Sequence, residues 1–202
     1  MTLDQAYFRD CYAASADPWG LAKRWYEARK YALSLALLPA ERYGAAFEPG
    51  CSIGVLTARL APRCGRLLAC DAVPEAVASA RARTAGLPGV QVERRLIPQE
   101  WPPHSFDLIV FSELLYYFGD ADLNQLLRLG IGTLRPGGHL LAVHWRHPAP
   151  HHPRTGDEVH EVLAGHAGLA RLARYRDLDF TAEVYTHAGG DLRSVAQTGG
   201  IA

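Results

Sequence analysis

Short apolar runs and stretches with helical spacing alternate along the chain from Tyr43 to about Trp145. This alternation is typical of βαβ units and therefore of a parallel sheet with helices packed on it. The predicted strands span residues 45–48, 67–71, 90–94, 106–112 and 139–145. The predicted helices of this region span residues 55–61, 74–85 and 121–134.

Two more helices are predicted before this region. Near the N-terminus apolar residues recur at helical spacing, and residues 22–38 form a stretch that is aromatic and basic at its start and apolar at its end. The first apolar stripe consists of Leu3, Tyr7, Phe8, Cys11 and Tyr12. Asp17-Pro18 separates the two helices, and Pro39 ends the second.

The C-terminal part of the chain contains one further predicted helix and one further strand. Asp157-Glu158 begins a helix that runs to residue 163, and the alternation of residues 180–185 predicts a strand. The glycine-rich sequence from Ala188 predicts a flexible tail. We therefore expect an N-terminal helical cover at 1–40, a ligand-binding domain at 41–187 and a tail at 188–202.

The composition is that of an ordinary globular protein. The chain has 202 residues, of which 49% are hydrophobic, and this length fits one domain. Its 21 basic and 21 acidic side chains balance, so no overall field attracts polyanions and we expect no nucleic-acid partner. No apolar run approaches the roughly 20 residues of a membrane span, and the N-terminus lacks the features of a signal peptide. We expect no membrane partner and a cytoplasmic location.

The first predicted strand runs directly into Gly50-Cys51-Ser52-Ile53-Gly54, and a predicted helix follows. Small residues in such a turn let a ligand approach the backbone, and the start of the helix favours an anionic group. Asp71 ends the second predicted strand, where a carboxylate can accept hydrogen bonds from two ribose hydroxyls. Together these features predict a ligand that contains adenosine.

Two common nucleotide motifs do not match this turn. The dinucleotide fingerprint G-x-G-x-x-G requires glycine at two positions that Ser52 and Val55 occupy. A P-loop requires a lysine after the turn, and the sequence has no lysine after Lys30. The motifs therefore disfavour NAD and exclude ATP bound through a P-loop.

The same turn matches the G-x-S-x-G nucleophile elbow of α/β-hydrolases, with Ser52 as the nucleophile. That fold places a glycine-rich oxyanion loop on an earlier strand, and no such segment precedes Tyr43. An esterase that uses Ser52 is therefore a disfavoured alternative that the sequence leaves open.

Several segments resemble the nodulation protein S (NodS) family of class I methyltransferases. Residues 47–57 resemble the first motif of that family, which binds S-adenosylmethionine (SAM). The other similar segments are Asp17-Pro18-Trp19, Trp25-Tyr26-Glu27, Arg29-Lys30-Tyr31, residues 106–113 with Tyr116-Tyr117, Pro136-Gly137-Gly138-His139 and His144-Trp145-Arg146-His147-Pro148. The resemblance spans about residues 7–187. It implies methyl transfer from SAM on an α/β fold with a doubly wound, mostly parallel sheet of seven strands, of the class I methyltransferase (Rossmann-like) type.

The resemblance also implies which residues bind SAM. The loop around the methionine part and the sugar would be shaped by Glu48, Gly50, Cys51, Ser52 and Gly54. The other implied contacts are Asp71 and Ala72 at the ribose, Leu96 and Ile97 at adenine, and Ser112 and Glu113 on the sulfonium side. Many class I methyltransferases bind the adenine amino group with an acidic residue after the third strand, and Arg95-Leu96-Ile97 lacks one. We therefore expect backbone groups to recognise adenine.

Catalysis of methyl transfer consists mainly of aligning the nucleophile, the methyl carbon and the sulfur, which is worth roughly 7 to 11 kcal/mol. An amine acceptor must also lose a proton, and His144 at the end of the fifth predicted strand is the candidate base. Glu113 is the second catalytic candidate. In the cover, Trp19, Tyr26 and Arg29 are expected to close over SAM, although aromatic residues more commonly pack helices onto a sheet.

The histidines of residues 144–152 could form a metal site, but Pro148, Pro150 and Pro153 predict a kinked loop, so we expect no metal. Of the adjacent Tyr116 and Tyr117 we expect only one to face the site.

NodS-type enzymes methylate the free amine of a deacetylated chitooligosaccharide, so the resemblance implies a small-molecule acceptor such as an amino sugar. A SAM-binding protein without turnover is the other alternative.

Overall fold

The computed structural model describes residues 1–190 and 192–201. Its strands are β1 (Tyr43–Pro49), β2 (Cys64–Asp71), β3 (Val90–Arg94), β4 (Phe106–Ser112), β5 (Leu134–Trp145), β6 (Leu169–Arg176) and β7 (Phe180–His187). They form one sheet in the order β3-β2-β1-β4-β5-β7-β6. Strand β7 is antiparallel to β5 and β6, and the other neighbouring strands are parallel. The predicted doubly wound, mostly parallel α/β architecture is confirmed.

The helices lie before, between and after these strands. They are α1 (Gln5–Ala14), α2 (Trp25–Leu37), α3 (Val55–Leu60), α4 (Pro74–Thr84), α5 (Asp120–Thr133), α6 (Gly156–Gly165) and α7 (Val195–Thr198). Short 3₁₀ turns span Ala61–Arg63 and Leu115–Tyr117. Within residues 1–190 and 192–201, each helix is too short or too polar to cross a membrane.

The central strands are apolar on both faces because helices cover both sides of the sheet. Successive residues of β4 face opposite sides: Leu108 belongs to the buried cluster that includes α2 and α3, and Ile109 belongs to the cluster under α5 and α6. Tyr12 of α1 and Tyr31 of α2 belong to the first cluster. The N-terminal helices are thus packed onto the same core as the sheet.

The topology places a crevice at the carboxyl ends of the central strands. Strands β1 and β4 are neighbours although β2 and β3 lie between them in the sequence, so the direction of winding reverses between them. Loops after β1 and β4 leave the sheet on opposite sides at such a switch point, and open α/β sheets bind their ligands there. The candidate site is built at the carboxyl ends of these strands.

The structure differs from the predicted elements in several places. Strand β5 begins at Leu134 rather than at residue 139, and helix α7 lies within the segment predicted as a tail. Helix α2 begins at Trp25 rather than at residue 22, because the Asp17 carboxylate accepts hydrogen bonds from the backbone N–H groups of Leu21 (2.8 Å) and Ala22 (3.1 Å) and holds them in a turn. Strand β6 has no counterpart among the strands predicted from residue patterns. Its pairing with β7 shifts register between Arg171 and Ala173, which interrupts the alternation that would have indicated a strand.

Candidate active site

The loop after β1 has an unusual backbone. Gly50, Ser52 and Gly54 have φ angles of 72°, 51° and 75°, in the left-handed region. A Cβ on Gly54 would lie 2.9 Å from the Cα of Ala80 in α4, so only glycine permits this close packing. For Ser52 this conformation costs roughly 1–2 kcal/mol. The loop therefore depends on its glycines and holds Ser52 under strain.

Asp71 joins this loop to the end of β2. Its carboxylate accepts hydrogen bonds from the backbone N–H groups of Ser52 and Val73, both at 3.0 Å. Burial raises the pKa of Asp71, and these backbone bonds oppose that rise. A carboxylate has about four lone-pair positions, so both oxygens can still accept a hydrogen bond from a ligand. Asp71 thus orders the loop and keeps the capacity to bind two hydroxyls.

Glu48 lies directly beneath the loop at the end of β1. The residue is 2% exposed, and its Oε2 atom has no hydrogen-bond partner among the described residues. Burial raises the pKa of Glu48 to about 8, and the neighbouring Thr57 hydroxyl opposes this rise. A buried carboxyl group with an unpaired oxygen is costly, and it is satisfied when a cation or hydrogen-bond donor binds beside it.

Glu113 lies at the end of β4, on the other side of the crevice, with a left-handed φ of 53°. Its Oε1 accepts a hydrogen bond from Lys30 Nζ at 2.6 Å. Its Oε2 accepts bonds from the Tyr116 hydroxyl at 2.5 Å and from the Trp145 backbone N–H at 2.9 Å. Ser52 and Glu113 are the non-glycine residues with positive φ in the described part of the chain. Backbone strain of this kind concentrates at functional sites.

Lys30 brings a positive charge from helix α2 into this group. Its side chain is 2% exposed, and Nζ lies 2.9 Å from Glu27 Oε2 and 2.6 Å from Glu113 Oε1. The two carboxylates raise the pKa of Lys30 despite its burial. We did not predict Lys30 as a site residue. A signal was present, because Glu27, Lys30 and Ser34 share the face of α2 that carries Tyr31.

A cavity of about 540 Å³ lies between the two loops and the N-terminal helices. Such a volume is within the range of small-molecule sites. The predicted site residues that line it are Trp19, Tyr26, Glu48, Gly50, Cys51, Ser52, Asp71, Ala72, Leu96, Ile97, Ser112 and Glu113. Lining residues that sequence reasoning missed include Tyr12, Lys30, Tyr31 and His152. Both Tyr116 and Tyr117 line the cavity, so the expectation that only one faces the site was wrong.

His144, the predicted base, does not reach the cavity. It is 0% exposed; its Nε2 accepts a hydrogen bond from the Leu115 backbone N–H at 3.2 Å, and its Nδ1 lies 3.2 Å from His160 Nε2. His160 Nδ1 in turn lies 2.6 Å from Glu183 Oε2. Burial holds the pKa of His144 well below its usual value. Both ring nitrogens are engaged inside the protein, so His144 supports the turn after β4 and cannot serve as the base.

Arg29, which we expected to close over SAM, does not line the cavity. It forms an ion pair with Asp177 at 2.8 Å and bonds the Tyr175 hydroxyl at 2.5 Å, which ties α2 to the end of β6. Neighbouring helix positions differ by about 100° in direction, so Lys30 faces the cavity and Arg29 faces the sheet edge. Gly54 lies outside the cavity lining as well, and it contributes by allowing the loop to pack on α4.

Helix α1 closes the cavity over the loop. The Tyr12 hydroxyl and Ser52 Oγ lie 2.5 Å apart, and Trp19 packs edge-on against Tyr12 at 5.5 Å. Burial and the Asp71 charge raise the pKa of Tyr12 above its usual range. The partner of Ser52 is thus a phenol and not a histidine, so the esterase alternative lacks its general base.

In the described part of the chain, no three side chains of the types His, Cys, Asp and Glu group together as a metal site.

Comparisons with known proteins place this geometry in a family context. The sequence model of the nodulation protein S (NodS) family matches residues 6–147. The chain is 38% identical over 130 residues to nodulation protein S of Rhizobium tropici and 34% identical over 130 residues to that of Sinorhizobium fredii. Each alignment covers 63% of this chain, but only 55% and 60% of those relatives.

Two solved structures agree with this match. A protein of Pseudomonas syringae, solved as a candidate methyltransferase, is 46% identical with a TM-score of 0.72, and the alignment covers 80% of this chain and 99% of that one. The N-methyltransferase NodS of Bradyrhizobium japonicum, solved with S-adenosyl-L-homocysteine (SAH), is 26% identical with a TM-score of 0.79. That alignment covers 90% of this chain and 97% of NodS. The fold is therefore that of class I methyltransferases, as predicted.

Proposed function

Because this chain belongs to the nodulation protein S family, we propose that it transfers a methyl group from SAM to the amine of a small polar acceptor, such as an amino sugar. When bound, SAM supplies an electrophilic methyl group on a positively charged sulfur. Residues 41–187 would bind SAM, and residues 1–40 would cover it. Positions 191 and 202 of the predicted tail lie outside the described residues. A cytoplasmic location and the lack of nucleic-acid and membrane partners stay predictions.

The residues around the cavity fit this cofactor. Glu48 offers an unpaired carboxyl oxygen to the ammonium group of the methionine part. Asp71 can accept hydrogen bonds from the ribose, beside a loop whose packing on α4 requires glycine at position 54. Leu96 and Ile97 line the cavity beyond Asp71 and would cover the adenine ring.

The proposal that the acceptor is an amine rests on the combined charge of three neighbouring side chains. Glu27 and Glu113 each lie within hydrogen-bond distance of Lys30, so the three side chains combine two carboxylates with one ammonium group. Their net charge is negative, and the surrounding wall includes the aromatic rings of Tyr26 and Tyr116. A carboxylate beside aromatic rings stabilises a cation. Such a surface favours an ammonium acceptor over a carboxylate or a phosphate.

A methyl-transfer assay with matched acceptors tests this proposal. The purified protein, SAM and a partly deacetylated chitotetraose are expected to yield SAH and a sugar heavier by one methylene group, with the methyl group on nitrogen. Fully acetylated chitotetraose, which has no free amine, is the control and should not react. Methylation of a hydroxyl group, or tight SAH binding without methylation of any amine in a panel of amino sugars and small amines, would contradict the proposal. The second outcome would favour a SAM-binding protein without turnover.

A further inference from the structure

His152 lies in the turn after β5 and faces the cavity. Its backbone N–H bonds the carbonyl of Ala149 at 3.0 Å, which closes the turn. The imidazole ring stacks on Tyr116 with the ring centres 4.3 Å apart and an interplanar angle of 19°, and it meets Tyr117 edge-on at 4.8 Å. Two aromatic contacts therefore fix the orientation of a half-buried ring beside the group that contains Glu113.

The ring nitrogens of His152 are available, in contrast to those of His144. Neither nitrogen has a hydrogen-bond partner among residues 1–190 and 192–201. Burial lowers the pKa of His152, the charge of Glu113 opposes this, and His151 adds to the lowering. The phenols of Tyr116 and Tyr117 stay protonated because burial raises the pKa of each above its usual range. His152 is therefore a neutral imidazole near pH 7 and can accept a proton.

The other polar groups of the cavity are poorly suited to this task. Both oxygens of Glu113 already accept hydrogen bonds, from three donors in total. Glu48 lies under the loop after β1, where it would pair with the ammonium group of the cofactor. Lys30 is held between two carboxylates that favour its charged form. Compared with these three groups, an imidazole with free nitrogens is the better proton acceptor.

We propose that His152 is the catalytic base that removes a proton from the acceptor ammonium group, a step that rests on the methyl transfer to an amine proposed above. The proton passes from nitrogen to the imidazole, which becomes imidazolium. The freed lone pair of the amine then forms the new N–C bond while the C–S bond breaks, and the electrons of that bond stay on sulfur. The half-buried imidazolium returns its proton to solvent, so one proton is released in each turnover.

The test compares His152→Gln with the matched control His151→Gln, a neighbouring exposed residue outside the cavity lining. Partly deacetylated chitotetraose is the acceptor. His152→Gln is expected to lower kcat about 100-fold or more, with the acceptor KM and the SAH dissociation constant within threefold of wild type. The step in the pH profile of kcat that reports a base should disappear, and His151→Gln should keep it. Imidazole added to His152→Ala should restore activity in proportion to its concentration.

A second readout does not depend on turnover. NMR spectra of the histidine-labelled protein with SAH identify the His152 resonance as the one that is missing in His152→Gln. In wild type this resonance should titrate with a midpoint at the same pH as the step in the kcat profile. The inference is overturned if His152→Gln keeps kcat within threefold of wild type, if its pH profile is unchanged, or if the two titrations differ. If wild type binds SAH but methylates no amine, the proposed function fails first, and the role of His152 fails with it.

Discussion

The replacement Glu48→Gln should stabilise the protein without ligand and weaken its binding of SAH. Gln has nearly the shape of Glu but no charge, so the change removes a buried acid while it keeps the packing at the end of β1. Glu48 is 2% exposed, with its Oε2 unpaired among the described residues. Keeping such a group at a ligand site lowers stability in exchange for function.

The magnitude follows from the raised pKa. Burial raises the pKa of Glu48 from an ordinary value of 4.5 to about 8. Between these values the folded protein keeps a proton that the unfolded chain loses, so the free energy of unfolding falls as the pH rises. At about 1.4 kcal/mol per pH unit this difference reaches roughly 5 kcal/mol above pH 8, and relaxation around the charge makes a few kcal/mol the realistic value.

Chemical unfolding of both proteins between pH 4.5 and 8.5 measures this difference. Below pH 4.5 Glu48 is protonated in both states, and wild type and Glu48→Gln should have similar free energies of unfolding. The advantage of the variant should grow steadily up to about pH 8. Glu41→Gln, which changes an exposed carboxylate just before β1, is the control and should show no such trend. A difference that stays constant with pH would refute the argument.

The same variant tests the role of Glu48 in ligand binding. Pairing with the ligand ammonium group favours the ionised carboxylate, so SAH binding near pH 7 should release a proton from wild type. Titration calorimetry in buffers with different ionisation enthalpies measures that proton. Glu48→Gln should release none and bind SAH at least tenfold more weakly, which corresponds to about 1.4 kcal/mol. If wild type and Glu48→Gln bind SAH with equal affinity and equal proton release, Glu48 does not contact the cofactor.

Three further predictions concern the remaining site residues. Lys30→Met leaves two carboxylates without their cation and should lower the free energy of unfolding by about 3–5 kcal/mol. This corresponds to a fall of roughly 6–20 °C in Tm. The control Lys23→Met, at an exposed position, should leave Tm within about 2 °C of wild type. Asp71→Ala should weaken SAH binding about 10- to 100-fold by calorimetry, and Asp71→Asn, which keeps one carbonyl oxygen, should weaken it less; unchanged affinity would exclude a ribose contact. Arg29→Ala removes the ion pair with Asp177 and should change the SAH dissociation constant less than twofold. A larger loss of SAH affinity would show that Arg29 contributes to the cofactor site.

Local patterns predicted the central part of the fold well. The runs around Phe47 and Ile109 are apolar without interruption, because helices cover both faces of these strands, and such runs are visible in the sequence. The loop from Gly50 to Gly54 was equally visible, since its left-handed backbone requires small residues at defined positions. Edge strand β6 was missed because its register shift interrupts the alternation.

The sequence by itself determined the central strands of the sheet, the loop that would hold the cofactor and the family, since each depends on the order of residues along a short segment. Tertiary structure alone decided which side chains meet in the cavity. Arg29 and Lys30 are adjacent on one helix, and the packing of α2 decided that Lys30 reaches Glu113 while Arg29 pairs at the sheet edge. His144 and His152 are both histidines near the end of β5, yet one is enclosed by hydrogen bonds and the other stacks in the cavity. The direction of a side chain depends on packing between distant segments, which no local pattern contains.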